Sequence, residues 1–305
     1  MKLNGIHHIT AITGDAQANV DFYTRVLGLR MVKKSVNQDD PTVYHLFYGD
    51  EHAKPGLDLT FFEYPGAPLG RAGDGMIHRI VWRVGAPAAL DFWADRLASE
   101  GIKSERDGDR LRFDDPEGLE HELTVVDVPD EPLIAERPEV PSEHALQGFH
   151  GVRAFSADPE RSRELLEDAL AFVPAEDGWE ARGERRGALY GYDAPPAERG
   201  IQGAGTVHHA AWGSSDEEHG VWRDRVLAAG GHPTPVIDRH YFHSIYFREP
   251  SGVLFELATP SPGFTVDEPL ETLGERLSIP PFLESRRAEI EAALKPLPYK
   301  RVTRA

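Results

Sequence analysis

An α+β architecture of four βαβββ units, paired into two cupped sheets and followed by a C-terminal helix, is predicted by three observations on the 305-residue sequence. Residues 113–123, FDDPEGLEHEL, and 247–257, FREPSGVLFEL, share a Phe, an acid before Pro, a Gly and a closing Glu-Leu at an offset of 134. HRIVW from His78 and HHAAW from His208 recur ahead of those segments at an offset of 130, while GIHHIT at Gly5 and GFHGVR at Gly148 are weaker starts. Each of the four starts leads into one amphipathic stretch and then into short β-rich runs. A repeat of this kind dictates the fold, because a single unit leaves a sheet face and two edges bare and must pair to cover them.

The elements follow in order. The leading strands are succeeded by AQANVDFYTRVLGL, APAALDFWADRLASEG, DPERSRELLEDALAF and DEEHGVWRDRVLAAGG, whose apolar stripes, such as Phe22, Val26 and Leu27, predict helices. Asp15, Asp158 and Asp216 stand where N-caps are expected, and Gly28, Gly101 and Gly230 where the helices should stop. TVYHLFYG, LDLTFFEY, RLRFDD and SIYFREP are strand-like runs broken by turn residues. Residues 1–135 thus hold the first two units and 145–262 the second two, with the Pro-rich stretch 127–144 expected as an extended connection. The tail 263–305 ends in ESRRAEIEAALKPL, a helix with Leu283, Ile290 and Leu294 on its apolar side.

Composition narrows the function. With 51 acidic against 33 basic residues the formal charge is −18, which repels phosphate backbones and anionic headgroups, so neither nucleic acid nor membrane is an expected partner. The absence of cysteine excludes disulfides, thiolate nucleophiles and iron–sulfur clusters, and leaves His and carboxylates as the only ligands for a metal. MKLNGIHHIT lacks an apolar leader, which with the absence of cysteine predicts a cytoplasmic protein, a homo-oligomer being compatible with it. No nucleotide-binding, nucleophile-elbow or zincin motif is present.

The chemistry-bearing pattern emerges when the units are superposed. The leading strand positions are His7, His78, His150 and His208, followed by His8, Arg79, Gly151 and His209, so only the first and last units carry His-His. Glu63, Glu122 and Glu256 recur in the late strands of units one, two and four. Two His and one carboxylate form the facial triad that holds Fe(II) or Mn(II), and His8, His209 and Glu256 are the candidates. Adjacent strand residues face opposite ways, so only one His of each pair can be a ligand. Arg79 occupies the ligand position of unit two and is expected to pair with Glu122. Ligands drawn from units one and four require those units to share a cup, which commits units two and three to the other.

GIHHIT, DFYTRVLGLRMVKKSVNQDDP, LTFFEYPG, VHHAAW, FREPSGVLFELATP and the tail LSIPPFLESRRAEIEAAL resemble the vicinal oxygen chelate superfamily, within it the ring-cleaving dioxygenases of the hydroquinone 1,2-dioxygenase type. The resemblance implies that fold and a non-haem Fe(II) site with His8, His209 and Glu256 as ligands. It implies His7, Thr10, His208, Arg239 and Tyr246 as further catalytic residues. The substrates it implies are O₂ and a small aromatic dihydroxy compound, opened by extradiol-type cleavage. Glu63 is a carboxylate beyond that set; as a fourth ligand it would make a glyoxalase-I-like lyase or isomerase with Ni(II) or Zn(II). A metal-free protein gripping a planar ligand with Trp82, Trp212, Phe242 and Tyr246 is the third expectation, and the histidines at 45, 52, 121, 144, 219, 232, 240 and 243 are expected on the surface or in loops, with His240 and His243 near Arg239 beside the pocket.

Overall fold

A computed structural model describes residues 1–302. Unit one contributes β1 (Ile6–Thr13), β2 (Arg30–Val36), β3 (Tyr44–Gly49) and β4 (Asp58–Glu63); unit two contributes β5 (Ile77–Val84), β6 (Ser104–Asp107), β7 (Arg110–Asp114) and β8 (Glu120–Val125). Unit three contributes β9 (Phe149–Phe155), β10 (Val173–Ala175), β11 (Gly178–Arg182) and β12 (Gly187–Asp193); unit four contributes β13 (Val207–Gly213), β14 (Ile237–Asp238), β15 (His243–Arg248) and β16 (Leu254–Ala258). Two eight-stranded sheets result, in the orders β14-β15-β16-β13-β1-β4-β3-β2 and β10-β11-β12-β9-β5-β8-β7-β6. Units one and four therefore share one cup and two and three the other. Residues 1–135 and 145–262 each supply one unit to each sheet.

The helical segments differ from expectation in regularity. In unit one α1 (Ala16–Asp21) runs into a wider turn, Phe22–Val26, where the Leu27 amide reaches back five residues to Phe22 O at 2.9 Å. Within it the Thr24 hydroxyl donates to Val20 O at 2.7 Å and competes with the backbone for that acceptor, and the same wide turn recurs in unit three, where the Leu170 amide reaches Leu165 O at 2.9 Å. The widened turn keeps Phe22 and Leu27, five residues apart, both buried. Unit three carries only short turns, Pro159–Ser162 and Leu165–Ala169. α2 (Pro87–Ser99) and α3 (His219–Ala228) are regular. Asp15 caps α1, accepting from the Ala18 amide at 3.0 Å, whereas Asp158 makes no cap bond and Asp216 lies ahead of the actual start at Glu218. There Ser215 accepts the Glu218 amide at 3.2 Å and takes the turn that Asp216 was expected to make. Gly28, Gly101 and Gly230 have φ of +71°, +73° and +79°, the left-handed region that ends a helix at little cost only for glycine.

Stretch 127–144 joins units two and three, but it is packed rather than solvated, against unit one as well, where the Glu51 amide donates to Ile134 O at 2.9 Å. Leu133, Ala135 and Val140 are buried, and Asp130 takes the buried Arg83 at 2.5 Å. The tail leaves unit four and crosses to unit one of the same cup, where Leu283 and Ile290 of its last turns, the latter in α4 (Arg287–Ala293), pack with Val36 and Ile279. His121 is a correction: it is wholly buried, accepting from Trp82 Nε1 at 3.0 Å and meeting Tyr23 Oη at 3.1 Å, and Tyr23 donates on to Asp115 at 2.8 Å. That chain of polar groups spans units one and two, and each member is satisfied within it.

In the 2–3 cup ion pairs fill the place that a metal site would need. Arg79 donates to Glu120 at 2.6 Å and to Glu122 at 3.4 Å, and Arg112 donates to Glu122 at 2.8 Å. Removing Glu122 leaves Arg79 paired with Glu120 and the partly exposed Arg112 to water, so Glu122→Ala should lower the free energy of unfolding by about 1 kcal/mol while leaving metal binding by the other cup unchanged. Denaturant titration of the variant with its metal content measured in parallel checks this.

Candidate metal centre

The pairing of β1 with β13 is antiparallel and sets His8 opposite Ala211 and Thr10 opposite His209. β16 lies parallel on the far side of β13, with Glu256 beside Ala211, and β15 places Tyr246 beside Glu256. One row across the sheet therefore reads His8, Ala211, Glu256, Tyr246, and the next reads Thr60, Thr10, His209. Paired residues share a sheet face, so His8, His209 and Glu256 all point into the cup, around the small side chain of Ala211.

His8 Nε2 lies 3.3 Å from His209 Nε2 and 3.1 Å from Glu256 Oε2, and His209 Nε2 lies 2.9 Å from the same oxygen. All three side chains are buried. Donors each about 2.1 Å from one divalent ion and at right angles around it stand about 3.0 Å apart, which these separations match. Although both nitrogens are close to it, Glu256 Oε2 receives no hydrogen bond of acceptable direction, while Oε1 accepts from Ser244 at 2.5 Å. A buried carboxylate oxygen left without a proton donor, beside two ring nitrogens, fits a cation.

The tautomers are set from behind. His7 Nε2 faces Thr259 O at 3.1 Å and must donate to it, which leaves His7 Nδ1 bare to accept from His8 Nδ1 at 3.0 Å. His8 then presents a lone pair at Nε2. The pair in unit four repeats the contact, His208 Nδ1 to His209 Nδ1 at 2.7 Å. Burial pushes His7 down to about 3 and also lowers His209, so both rings are neutral near pH 7. Burial opposes ionisation of Glu256, yet the adjoining His8 and His209 hold its carboxyl well below the usual range. Neutral imidazoles with an ionised carboxylate are the protonation state a metal requires.

A cleft opens over the triad, lined on the unit-four side by Arg239, Tyr241, Phe242 and Tyr246 and on the unit-one side by His45, Phe47 and Phe62. Arg239 sits in the turn between β14 and β15, paired with Asp39 at 3.0 Å and lying 5.4 Å above the Tyr246 ring. Tyr246 is raised above the ordinary phenol value, first by burial and then by the Glu256 charge, and so keeps its proton. His7, Thr10 and His208 stand apart from the cleft: the two histidines back the ligands, and the Thr10 hydroxyl meets Thr60 Oγ1 at 2.8 Å.

Glu63 lies outside the cluster. The strand alternation that buries Leu59 and Phe61 in the core turns Thr60 and Phe62 into the cup and Glu63 away from it, and its carboxylate accepts the backbone amides of Ala16 and Tyr44. The residue of unit one that corresponds to Glu256 is Thr60, because Thr10–Thr60 and Ala211–Glu256 are equivalent pairs, each two residues past a ligand-position His. Of the four aromatics expected to grip a planar ligand, Phe242 and Tyr246 line the cleft, whereas Trp82 and Trp212 are wholly buried core. His45, expected on the surface, is a cleft residue; the alternation of Tyr44, Leu46 and Tyr48 toward the core was the signal that it faces inward.

The chain belongs to the Glyoxalase/Bleomycin resistance protein/Dioxygenase superfamily, whose family model matches residues 5–123 and 148–257. It is 43% identical to MhqA of Bacillus subtilis (strain 168), a protein named among the ring-cleaving dioxygenases, over 97% of this chain and 100% of that one. It is 34% identical to a chlorohydroquinone/hydroquinone 1,2-dioxygenase of Sphingobium indicum, over 95% of each chain. A crystal structure from Bacillus subtilis, titled as a dioxygenase, superposes with a TM-score of 0.90 at 40% identity, covering 99% of both chains. Glyoxalase I from Zea mays shares the fold, with a TM-score of 0.58 at 16% identity over 85% of this chain and 93% of its own.

A ligand that binds only the folded protein stabilises it by about 2.7 kcal/mol at one hundred times its dissociation constant. Anaerobic Fe(II) or Mn(II) at that excess should raise the melting temperature by about 5 °C. The shift should vanish in Glu256→Gln, as scanning calorimetry of both proteins would reveal.

Proposed function

We propose that this protein is a ring-cleaving dioxygenase that uses Fe(II), held by His8, His209 and Glu256, to open a hydroquinone or catechol with O₂. The carrying observation is the three-donor set on one face of the cup, which leaves an ion with positions for a phenolic oxygen and for O₂. The 34% identity to a chlorohydroquinone/hydroquinone 1,2-dioxygenase over nearly the whole chain supports the choice of substrate. Mn(II) suits the same donors. A Ni(II) or Zn(II) site with four protein ligands has less support, because Glu63 faces away and Thr60 stands in the equivalent position. A metal-free binding protein has less support too, since half of its aromatic set is core.

Bound there, the metal supplies electron transfer with O₂ and a positive charge beside the phenolic oxygen. The chain does the rest. His7 and His208 hold the ligand rings in the tautomers that free Nε2. Phe62 and Phe242 give the cleft apolar walls for a planar ring. Tyr246 keeps the proton on Oη and donates it in a hydrogen bond to an oxygen over the triad, and the Arg239 guanidinium offsets negative charge as it develops there. The ring bond beside a hydroxylated carbon breaks, as in extradiol-type cleavage, and both atoms of O₂ remain in the product without an external reductant.

The test is O₂ uptake by anaerobically Fe(II)-loaded protein with hydroquinone, chlorohydroquinone and catechol. One O₂ should be consumed per ring opened, and Tyr246→Phe should lower kcat about 100-fold at unchanged iron content. Absence of uptake with all three rings at full iron occupancy would remove the reading.

A further inference from the structure

Unit one answers unit four residue by residue in the cup, and one exchange between them is unexplained by the ligand set. In unit four, Ser244 on β15 supports Glu256 from behind, at 2.5 Å. Its counterpart on β3 is His45, because Phe47 pairs with Thr60 as Tyr246 pairs with Glu256, and each lies two residues on. A small residue behind a large acid is thus replaced by a large imidazole behind a small hydroxyl. His45 Nε2 meets Thr60 Oγ1 at 3.0 Å, and the ring is gripped between Phe47 and Phe62 at centroid distances of 3.9 and 4.4 Å.

The proton positions follow from satisfying buried groups. Thr10 and Thr60 are both wholly buried, and among the described residues the Thr10 hydroxyl has no side-chain partner except Thr60 Oγ1, at 2.8 Å. If His45 Nε2 carried the proton, it would donate to Thr60, Thr60 would donate to Thr10, and the Thr10 proton would be left without an acceptor. The reverse order satisfies every group: Thr10 donates to Thr60, Thr60 donates to His45 Nε2, and the ring proton sits on Nδ1. Nδ1 has no hydrogen-bond partner among the described residues, and the half-buried ring lines the cleft across from the triad. Burial, followed by the neighbouring His8, His209 and Arg239, holds the imidazole well below its usual value, so it is a neutral donor.

We propose that His45, with its tautomer fixed by the Thr10–Thr60 hydroxyl pair, donates from Nδ1 to the substrate oxygen that the metal does not take, and thereby selects dihydroxy rings over monohydroxy ones. The inference rests on the dioxygenase reading and deepens it. His45 is a substrate-binding residue in this scheme; Thr60 and Thr10 are positioning residues that act through it.

The experiment compares anaerobic binding of hydroquinone and phenol to the metal-loaded protein by calorimetry, alongside turnover of hydroquinone. Wild type should prefer hydroquinone about tenfold, the value of one well-made hydrogen bond. His45→Phe, which keeps the packing between Phe47 and Phe62, should abolish the preference and raise KM for hydroquinone about tenfold, with phenol affinity and metal content unchanged. Thr60→Val should lose most of the preference and Thr60→Ser restore it, a pattern that loss of packing alone does not produce. An undiminished preference in His45→Phe, with hydroquinone still turned over, would overturn the role of His45 and leave the dioxygenase reading standing. Failure of the metal-loaded wild type to bind or consume hydroquinone would overturn both.

Discussion

The antiparallel pairing of β1 with β13 is the constraint on which the rest of the molecule depends. It joins strands whose ligand-position histidines are 201 residues apart in sequence and sets them diagonally across one ladder, with Nε2 atoms 3.3 Å apart. A register slip of one residue would turn His8 to the opposite face, and the centre would be lost. The same pairing forces units two and three together, and the long connection at 127–144 that joins them packs against unit one as well. Ala211 matters for the same reason: it stands between His8 and Glu256 in the row, and its single methyl leaves the donors free to converge.

The two cups show what a duplicated scaffold does with its ligand positions. In the 1–4 cup they hold His8, His209, Glu256 and Thr60; in the 2–3 cup the same positions hold Arg79, Gly151, Glu122 and Gly191. A carboxylate is present in both, but its neighbours decide its use. Beside the two imidazoles Glu256 keeps an oxygen without a donor, whereas beside Arg79 and Arg112 Glu122 is neutralised by the protein itself. A buried charge must be compensated one way or the other, because leaving it bare costs several kcal/mol. The second cup does it with guanidinium groups and keeps a structural role.

Much of this arrangement was legible in the sequence because repetition exposes it. His-His in units one and four, and Glu-Leu after a matched turn, identify residues the fold then brings together, and the choice of His8 and His209 required the pairing of units that is observed. Glu63 was misleading for a physical reason. Aligning it with Glu256 matched residue type but not strand parity, and parity is what sends a side chain into the cup; Thr60, with no charge to draw notice, holds the position. His45 was hidden because an isolated histidine in a strand has no partner in its own segment, and its partners Thr60 and Thr10 lie on other strands. The wide turns of units one and three, where Leu27 and Leu170 each reach back five residues, are visible only in three dimensions. Arg239 and Tyr246 entered through family resemblance, and their meeting over the triad depends on the turn between β14 and β15.

The account stands on one ion shared by the first and last units. Crystals grown or soaked anaerobically with Fe(II), with anomalous data collected at the iron edge, test that most directly. The account predicts a single strong peak per chain, within about 2.2 Å of His8 Nε2, His209 Nε2 and Glu256 Oε2, with Glu63 outside the coordination sphere. A peak in the 2–3 cup, or one that recruits Glu63 in place of Glu256, would contradict it.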